Sequence, residues 1–399
     1  MWRALTPDAP AIEGIVEELF PDDLFTELVG QPQLRALVLH GGTEANIIPG
    51  HAETEMMFRL VGDVVPLKRQ IEEWVGGRAE IEYGSYIPAQ RFHTVPGLDV
   101  AAVASWLSEH AGIDGVPAVH QFAGGASNLT YLLRYPDRDL VLRRPPVGAK
   151  PSSGHDMVRE YRIQSLLAPV YPYVPTMIGL CTDHSVLGSD FYVMERVPGT
   201  ILRTNPPTDL ALTPEQTRGL CLRIVDLLVE LHSVDAAATG LDEFSRGTGY
   251  VARQVAGWSS RYEKARTDNV PDFDRVRTWL DRAQPADVAQ TVVHGDFRLD
   301  NVVLDETDPC TPLAVLDWEL ATVGDPLMDL GSSLAYWVQA DDDPMLLATK
   351  RQPSDLPGML TRQEIVDYYS EKTGLPVDNW GFYEVFGLFR LAVIAQQIY

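Results

Sequence analysis

Four polar residues lie close together in the stretch VVHGDFRLDNVVLDETDPCTPLAVLDWE, residues 292–319. They are His294, Asp296, Asn301 and Asp317. A polar side chain beside a core is costly unless it is hydrogen-bonded or has a function, so a structural role is the alternative for any one of them. As a set they have the types that phosphoryl transfer requires. One carboxylate can orient an attacking hydroxyl, and oxygen ligands can hold Mg²⁺ against the phosphates of a nucleotide.

The order and spacing of these residues strengthen that interpretation. In protein kinases the catalytic Asp is followed five positions later by an Asn, and a second Asp comes after a short hairpin. Asp296, Asn301 and Asp317 have this order and spacing. Asp296 therefore fits the role of the carboxylate that orients the hydroxyl, and Asn301 and Asp317 fit the role of the metal ligands.

Three short motifs carry a family resemblance. HGDFRLDN (294–301), VLDWE (315–319) and GDPLMDL (324–330) resemble the aminoglycoside phosphotransferase and choline-kinase-like family. They are most similar to the branch found as kinase-like domains joined to acyl-CoA dehydrogenases. The resemblance extends from about Gly97 to the C-terminus. It implies an ATP-dependent small-molecule kinase with a bilobal protein-kinase-like fold, Mg²⁺ as cofactor, and a hydroxyl acceptor on an acyl chain or other metabolite.

The resemblance also implies a role for each motif residue. Asp296 corresponds to the catalytic base, and Asn301 and Asp317 to the magnesium ligands. His294 would brace the catalytic loop through hydrogen bonds, and Asp329 resembles the family's structural Asp, which we interpret as a loop anchor.

Three further charged residues lie inside or beside the motifs. Glu319 could approach metal or substrate, although a solvated or loop-bracing position is the expectation. Arg298 and Asp300 could contact the substrate, but we expect them to face solvent by default.

A loop that covers the nucleotide phosphates is predicted at AGGASNLTY, residues 123–131, between two strand-like runs. A hairpin turn is the alternative, and it would be favoured if the downstream motif were absent. Given that motif, backbone N–H groups at this position could contact phosphate. The candidate residues are Gly124, Gly125, Ser127 and Asn128.

The family places a Lys on the strand DLVLRRPP, and here that position is Arg143. Arg retains the charge and adds a planar fork, but its reach and geometry differ from those of Lys. Glu160 is the matching helix glutamate, and Lys150 is the alternative cation. The backbone of 195–197, from Glu195 to Val197, is the expected hinge against adenine.

The chain as a whole predicts an α+β fold, because strand-like runs come first and helical runs follow. Residues 98–199 form the predicted sheet-rich N-lobe and 200–399 the predicted helical C-lobe. A helix is predicted to begin after Thr213 as N-cap, with Glu215 close behind. The run WGFYEVFGLFRLAVIAQQIY stops inside an apolar helical pattern, so we expect the natural chain to continue.

Residues 1–97 are predicted to form a small additional α/β unit. HGGTEANIIPGHAETEMMFRLVGD and FHTVPG resemble the lid or dimerisation domain of M20 metallopeptidases. In that family the lid lends residues, here Asn46 and His40, to a dizinc centre in another domain, which this chain lacks. The histidines lack the ligand spacing of a zinc site. The resemblance therefore favours a packing role or a homodimer through this unit.

Composition limits the classes of partner. A net charge of −24 argues against nucleic acid or an anionic membrane surface as a partner, since proteins bind both through an excess of Lys and Arg side chains. Three scattered cysteines and no continuous apolar segment of spanning length favour a reducing cytoplasm. Two rival functions are a nucleotide-binding regulator without transferase activity, which the Arg143 departure favours, and an M20-type hydrolase.

Overall fold

The computed structural model describes residues 98–122, 128–146, 155–204, 210, 212–267, 270 and 272–398, and the backbone of two N-terminal strands. The chain divides by its internal contacts into two units, Met1–Pro96 and Gly97–Tyr399. In the first unit, β1 (Leu34–Gly41) pairs antiparallel with β2 (Ala52–Phe58), with a shift of register between Ala36 and Val38. The rest of the predicted α/β unit lies outside the described residues.

The N-lobe of the second unit is a five-stranded antiparallel sheet with the order β3-β4-β5-β7-β6. The strand-like runs on either side of AGGASNLTY and the predicted strand DLVLRRPP form three of these strands. Two main helices accompany the sheet, and the second of them, α2, begins at the N-cap Asp156. The elements are α1 (Val100–Ala111), β3 (Ala118–Gln121), β4 (Leu129–Arg134), β5 (Asp139–Arg144), α2 (Met157–Leu167), β6 (Met177–Cys181), α3 (His184–Leu187) and β7 (Phe191–Glu195).

The C-lobe is mainly helical and encloses the larger hydrophobic core, which includes Leu227, Trp318 and Phe386. Short strand pairs β8–β11 and β9–β10 lie within it and carry the motif residues at their ends. The elements are α4 (Pro214–His232), α5 (Ala236–Thr239), α6 (Tyr250–Ala265), α7 (Asp274–Ala283), β8 (Thr291–Val293), β9 (Val302–Leu304), β10 (Pro312–Val315), β11 (Thr322–Gly324), α8 (Pro326–Leu334), α9 (Pro344–Thr349), α10 (Arg362–Thr373) and α11 (Trp380–Ile398).

The predicted start of α4 is confirmed with one correction. Thr213 caps the helix, but its reciprocal partner is Gln216 and not Glu215. A capping box needs its second side chain at the third helical position, because only from there does it reach back to the N–H of the cap residue. Among the described helices, none is long and apolar enough to cross a bilayer.

Candidate active site

The catalytic loop begins where β8 ends, and a buried carboxylate fixes its first turn. The two oxygens of Asp329, on α8, accept hydrogen bonds from His294 N (2.7 Å) and Gly295 N (2.8 Å). His232 Nε2 lies 3.2 Å from the same carboxylate. Burial raises the pKa of Asp329, but the hydrogen bonds from His232 and from the backbone N–H of His294 outweigh it and leave the pKa below its ordinary value. The chain path before Asp296 is therefore set by an ionised side chain.

His294 connects the two motif segments. Its Nδ1 accepts the N–H of Asp296 at 3.2 Å, and its Nε2 lies 3.0 Å from Leu316 O. Because a carbonyl can only accept, these contacts define the neutral tautomer with the proton on Nε2. The ring is fully buried, and burial lowers its pKa. His294 thus braces the loop against the strand end that precedes Asp317.

One oxygen of Asp296 is held by two neighbours from its own loop. Arg298 Nη2 lies 3.3 Å from Asp296 Oδ2, and Asn301 Nδ2 lies 3.4 Å from it. The same amide nitrogen donates to Asp296 O at 2.9 Å. The Nδ2 group of Asn301 is therefore directed at Asp296, which leaves its amide oxygen as the atom with ligand character.

Arg298 and Asp300 differ from their expected positions. We expected both to face solvent, but their side chains are only 18% and 11% exposed. Arg298 lies between the carboxylates of Asp296 and Asp300, 3.3 Å from each, and over the ring of Tyr336 at 4.6 Å. The turn of 3-10 helix at Leu299–Asn301 directs these side chains back along the loop, and sequence spacing alone does not encode that turn.

Asp317 occupies an unusual backbone conformation directly after the segment that leads from β10. Among the described non-glycine residues it alone has a positive φ, 70°, in the left-handed region. Such a conformation costs about 1 kcal/mol or more and persists where the surroundings enforce it. Leu316 N donates to Asn301 O at 2.8 Å just before it, and Trp318 is fully buried just after it. These contacts on both sides fix where the Asp317 carboxylate emerges.

Arg143 and Glu160 meet inside the N-lobe, as the sequence suggested. Arg143 Nη1 lies 2.7 Å from Glu160 Oε1, and Tyr192 Oη donates to the same oxygen at 2.9 Å. Burial raises the pKa of Glu160, and Arg143 partly offsets that effect. Tyr192, on β7, was not predicted. Its signal was an aromatic residue with a hydroxyl inside an otherwise apolar strand.

Arg143 also reaches across to the C-lobe. Its guanidinium lies 3.2 Å from Asp317 Oδ1 and 3.3 Å from Glu319 Oε2. Burial opposes the charge of Arg143, but Tyr192, Glu160 and the C-lobe carboxylates outweigh it and hold its pKa well above the usual value. One guanidinium therefore joins three carboxylates.

Glu319 belongs to this cluster and is not solvated. Its side chain is 13% exposed, and its Oε2 accepts a hydrogen bond from Asn128 Nδ2 at 2.9 Å. His155 Nδ1 in turn lies 3.0 Å from Asn128 Oδ1. Of the four predicted phosphate-loop residues, Asn128 lies beside the cluster, whereas Gly124, Gly125 and Ser127 are outside the described residues, as is Lys150.

In the expected hinge, two backbone N–H groups already donate hydrogen bonds within the protein. Glu195 N donates to Thr176 O at 2.8 Å and Arg196 N donates to Asp139 O at 3.1 Å. Within the described part of the chain, Val197 N–H donates no hydrogen bond. Val197 therefore remains the hinge N–H available to a ligand, and the N–H of Glu195 does not.

The fold and the site together define a class of protein. A small antiparallel sheet, a helix glutamate paired to a strand cation, and an Asp–Asn–Asp set on the facing lobe make a bilobal protein-kinase-like phosphotransferase. The profile of the phosphotransferase enzyme family matches residues 118–365. The chain belongs to that family, and the family resemblance of the motifs is confirmed.

Individual relatives support the same assignment. The chain is 40% identical over 281 residues to acyl-CoA dehydrogenase family member 10 of Mus musculus, covering 70% of this chain and 26% of that protein. It is 31% identical over 332 residues to member 11 of Homo sapiens, covering 81% and 41%. The chain thus spans about a quarter to two fifths of the length of these curated relatives.

A solved structure of a candidate aminoglycoside phosphotransferase from Ralstonia eutropha superimposes with a TM-score of 0.62 at 32% identity. The match covers 75% of this chain and 88% of that one. The predicted bilobal α+β fold is therefore confirmed. The resemblance of residues 1–97 to M20 lids stays a prediction.

Proposed function

We propose that this protein is an ATP-dependent kinase that transfers the γ-phosphoryl group to a hydroxyl of a small metabolite, with Asp296 as the base. The observation that carries the proposal is the approach of the two lobes through one cluster. Arg143 and Glu160 from the N-lobe meet Asp317 from the C-lobe, and His294 and Leu316 tie the Asp317 segment to the loop of Asp296.

Asp296 has the geometry of a hydroxyl-orienting group. Arg298 and Asn301 hold its Oδ2, and within the described residues its Oδ1 has no hydrogen-bond donor. That oxygen can accept the proton of an acceptor hydroxyl as the hydroxyl oxygen attacks phosphorus.

The residues around Asp317 fit Mg²⁺. The Asp317 carboxylate and the Asn301 amide oxygen are hard oxygen donors, and Mg²⁺ usually takes only one or two protein oxygens besides water and phosphate. The Asp317 side chain is 35% exposed, so it is accessible from the cleft. When bound, the ion would neutralise charge on the phosphates. Asp317 and Asn301 would hold it, and Arg143 would lie beside the phosphates as the fixed cation.

The acceptor is proposed to be a neutral or anionic hydroxy compound, with a hydroxyacyl compound as the first candidate. This part of the proposal rests on the relatives, which are acyl-CoA dehydrogenase family members. A polycationic antibiotic is the less favoured acceptor, because Arg298 and Arg390 lie along the catalytic loop, where Arg390 Nη2 donates to Gly295 O at 2.7 Å.

The test is a screen of hydroxylated metabolites for Mg²⁺- and ATP-dependent phosphorylation by the purified protein, with Asp317→Ala as the paired variant. We expect a phosphorylated product with the parent. Asp317→Ala should abolish the tightening of ATP binding by Mg²⁺ while the thermal midpoint of unfolding changes little. Equal Mg-ATP affinity in parent and variant, measured by calorimetry, would contradict the metal assignment.

A regulator that binds nucleotide without transferring phosphate is the second candidate. The Arg143 departure from the family's Lys favours it, and the contact of Arg143 with Asp317 engages both groups with each other. ATP binding with no turnover of any acceptor across a broad screen would support this candidate over the kinase.

A further inference from the structure

Arg159 makes an unusual set of contacts between α2 and the loop that carries Asp317. Its Nη1 donates to Glu319 O at 3.3 Å, and its Nη2 donates to Ala321 O. The guanidinium also lies over the ring of Phe244, 5.6 Å from the centroid. The fork of one side chain thus contacts two carbonyls at the end of the short 3-10 turn Trp318–Leu320.

Arg159 and Glu160 are neighbours on α2, and both are directed at the same loop. Glu160 acts through Arg143, which contacts Asp317 and Glu319 by their carboxylates. Arg159 contacts the loop by its backbone carbonyls only. The loop is therefore held through its acidic side chains by Arg143 and through its main chain by Arg159.

The two kinds of contact respond differently to a ligand. Phosphates and a cation would exchange with the carboxylate contacts of Arg143, because they carry the same kinds of charge. The carbonyl contacts of Arg159 involve no group that a nucleotide or Mg²⁺ would claim. Within the described residues, Arg159 has no carboxylate at ion-pair distance, so its donors are committed to the loop backbone.

The surroundings of Arg159 also belong to the C-lobe. Phe244 lies in the 3-10 turn Leu241–Phe244, and its carbonyl accepts the hydroxyl of Thr322 at 3.1 Å. Thr322 begins β11, directly after the loop that Arg159 contacts. The guanidinium of Arg159 therefore contacts two C-lobe segments that a hydrogen bond already joins to each other.

We propose that Arg159 is a positioning residue that fixes the Asp317–Ala321 loop to α2, so that the Asp317 carboxylate points at the metal position when Arg143 turns to the phosphates. The inference rests on the proposed kinase function, and it deepens that function by assigning the part that holds the metal ligand in place. Arg159 itself touches neither metal nor nucleotide.

Substitution of Arg159 by Met keeps the length of the stem and removes all donors. Arg162→Met is the matched control, because Arg162 lies one turn further along α2, is exposed, and among the described residues pairs only with Glu243, at 2.8 Å. The Mg²⁺ concentration that gives half of the maximal tightening of ATP binding is the first measurement. We expect it to rise about tenfold to a hundredfold in Arg159→Met, as for other residues that orient a metal ligand. ATP affinity without Mg²⁺ should change little.

A conservative variant separates positioning from general stability. Arg159→Lys retains one donor group, so it should recover part of the Mg²⁺ response. If the defect were purely structural, the loss of the Mg²⁺ response would correlate with the melting temperature of each variant and not with its number of donors. If Arg159→Met matches the parent and Arg162→Met in its Mg²⁺ response, the proposal is wrong.

A second measurement does not depend on nucleotide. Hydrogen exchange of the backbone amides in residues 317–322 of the full chain should be faster in Arg159→Met and Arg159→Lys than in the parent, and unchanged in Arg162→Met. Unchanged exchange at these amides would overturn the proposal even if Mg²⁺ binding fell. Faster exchange in a protein that never binds ATP would instead keep the positioning role and refute the kinase function.

Discussion

The two sides of the cleft are held together by different forces. On the C-lobe side, the loop 294–301 is fixed mainly by hydrogen bonds to its own backbone, from Asp329 and through the neutral ring of His294. On the N-lobe side, Arg143 is held by ion pairs to Glu160, Asp317 and Glu319. The C-lobe side is therefore anchored through groups that no nucleotide or metal ion would bind. The N-lobe side is anchored through ion pairs with which a charged ligand could exchange.

The difference suggests a division of labour. A base must keep its geometry before the substrate arrives, because catalysis by positioning gains nothing from a loop that still has to order. The contacts of Arg143 to Asp317 are longer, at 3.2 Å, than its contact to Glu160, at 2.7 Å. Ligand binding would therefore exchange the longer contacts first and leave the Arg143–Glu160 pair in place.

The largest effect is expected at Asp296. Asp296→Asn keeps the size of the side chain and removes the carboxylate, so turnover should fall by about 10²- to 10⁴-fold. ATP affinity should stay near that of the parent, since Asp296 is assigned no contact to the nucleotide. Single-turnover phosphorylation beside calorimetric ATP binding measures both. Turnover that survives would show that Asp296 is not the base.

Asp329 tests the backbone anchoring of the C-lobe side. In Asp329→Asn one amide oxygen can no longer serve both the N–H of His294 and that of Gly295, so the free energy of unfolding should fall by about 2 kcal/mol. Glu243→Gln, at an exposed pair with Arg162, should cost less than about 1 kcal/mol. Denaturant titration compares the two variants.

The pH dependence of the same variant has a defined sign. Since the pKa of Asp329 in the folded protein lies below its ordinary 3.8, its contribution is present above that value and is lost as pH falls through the lower folded pKa. The stability difference between parent and Asp329→Asn should therefore shrink in acid below about pH 3.8. A difference that stays constant would mean that the pKa of Asp329 is the same in the folded and the unfolded protein.

Much of the C-lobe side could be predicted from the sequence. Asp296, Asn301 and Asp317 are separated by short segments, so their spacing limits where the chain can place them. Their order matched a known pattern, and the run of strands before helices gave the lobes. Asp329 could be assigned as an anchor by resemblance, but the sequence does not indicate that its carboxylate accepts hydrogen bonds from the N–H groups of His294 and Gly295.

The N-lobe side was less predictable, because its partners are far apart in the chain. Arg143 and Glu160 could be paired by resemblance, but the reach of Arg143 to Glu319 depends on how the lobes meet. Arg159 and Tyr192 have no motif, since their roles come from the direction of a helix and a strand. The inward orientation of Arg298 was missed because a loop position says nothing about which way a turn of 3-10 helix directs a side chain.

Arg143 tests the N-lobe side, where a ligand could exchange with the ion pairs. Arg143→Lys keeps one charge but cannot contact three carboxylates as a planar fork does, so ATP affinity should fall by about 1 kcal/mol, or roughly fivefold. Arg134→Lys, at an exposed position on the neighbouring strand β4, is the control. Tighter ATP binding by Arg143→Lys would instead show that the contact with Asp317 competes with the nucleotide.

The smallest effect is expected at His294, and it concerns pH. Burial holds the pKa of His294 below its ordinary 6.5, so as pH falls past 6.5 the unfolded chain takes up this proton before the folded one does. Stability from the neutral ring is therefore complete above about pH 6.5 and is lost as pH falls toward the folded pKa. The difference in the free energy of unfolding between the parent and His294→Gln should therefore shrink as pH falls over that interval, because the other histidines are present in both proteins. If this difference in stability does not depend on pH, the ring accepts a proton as easily in the folded protein as in the unfolded chain. The neutral hydrogen-bonded bridge between Asp296 N and Leu316 O then cannot be what fixes the catalytic loop.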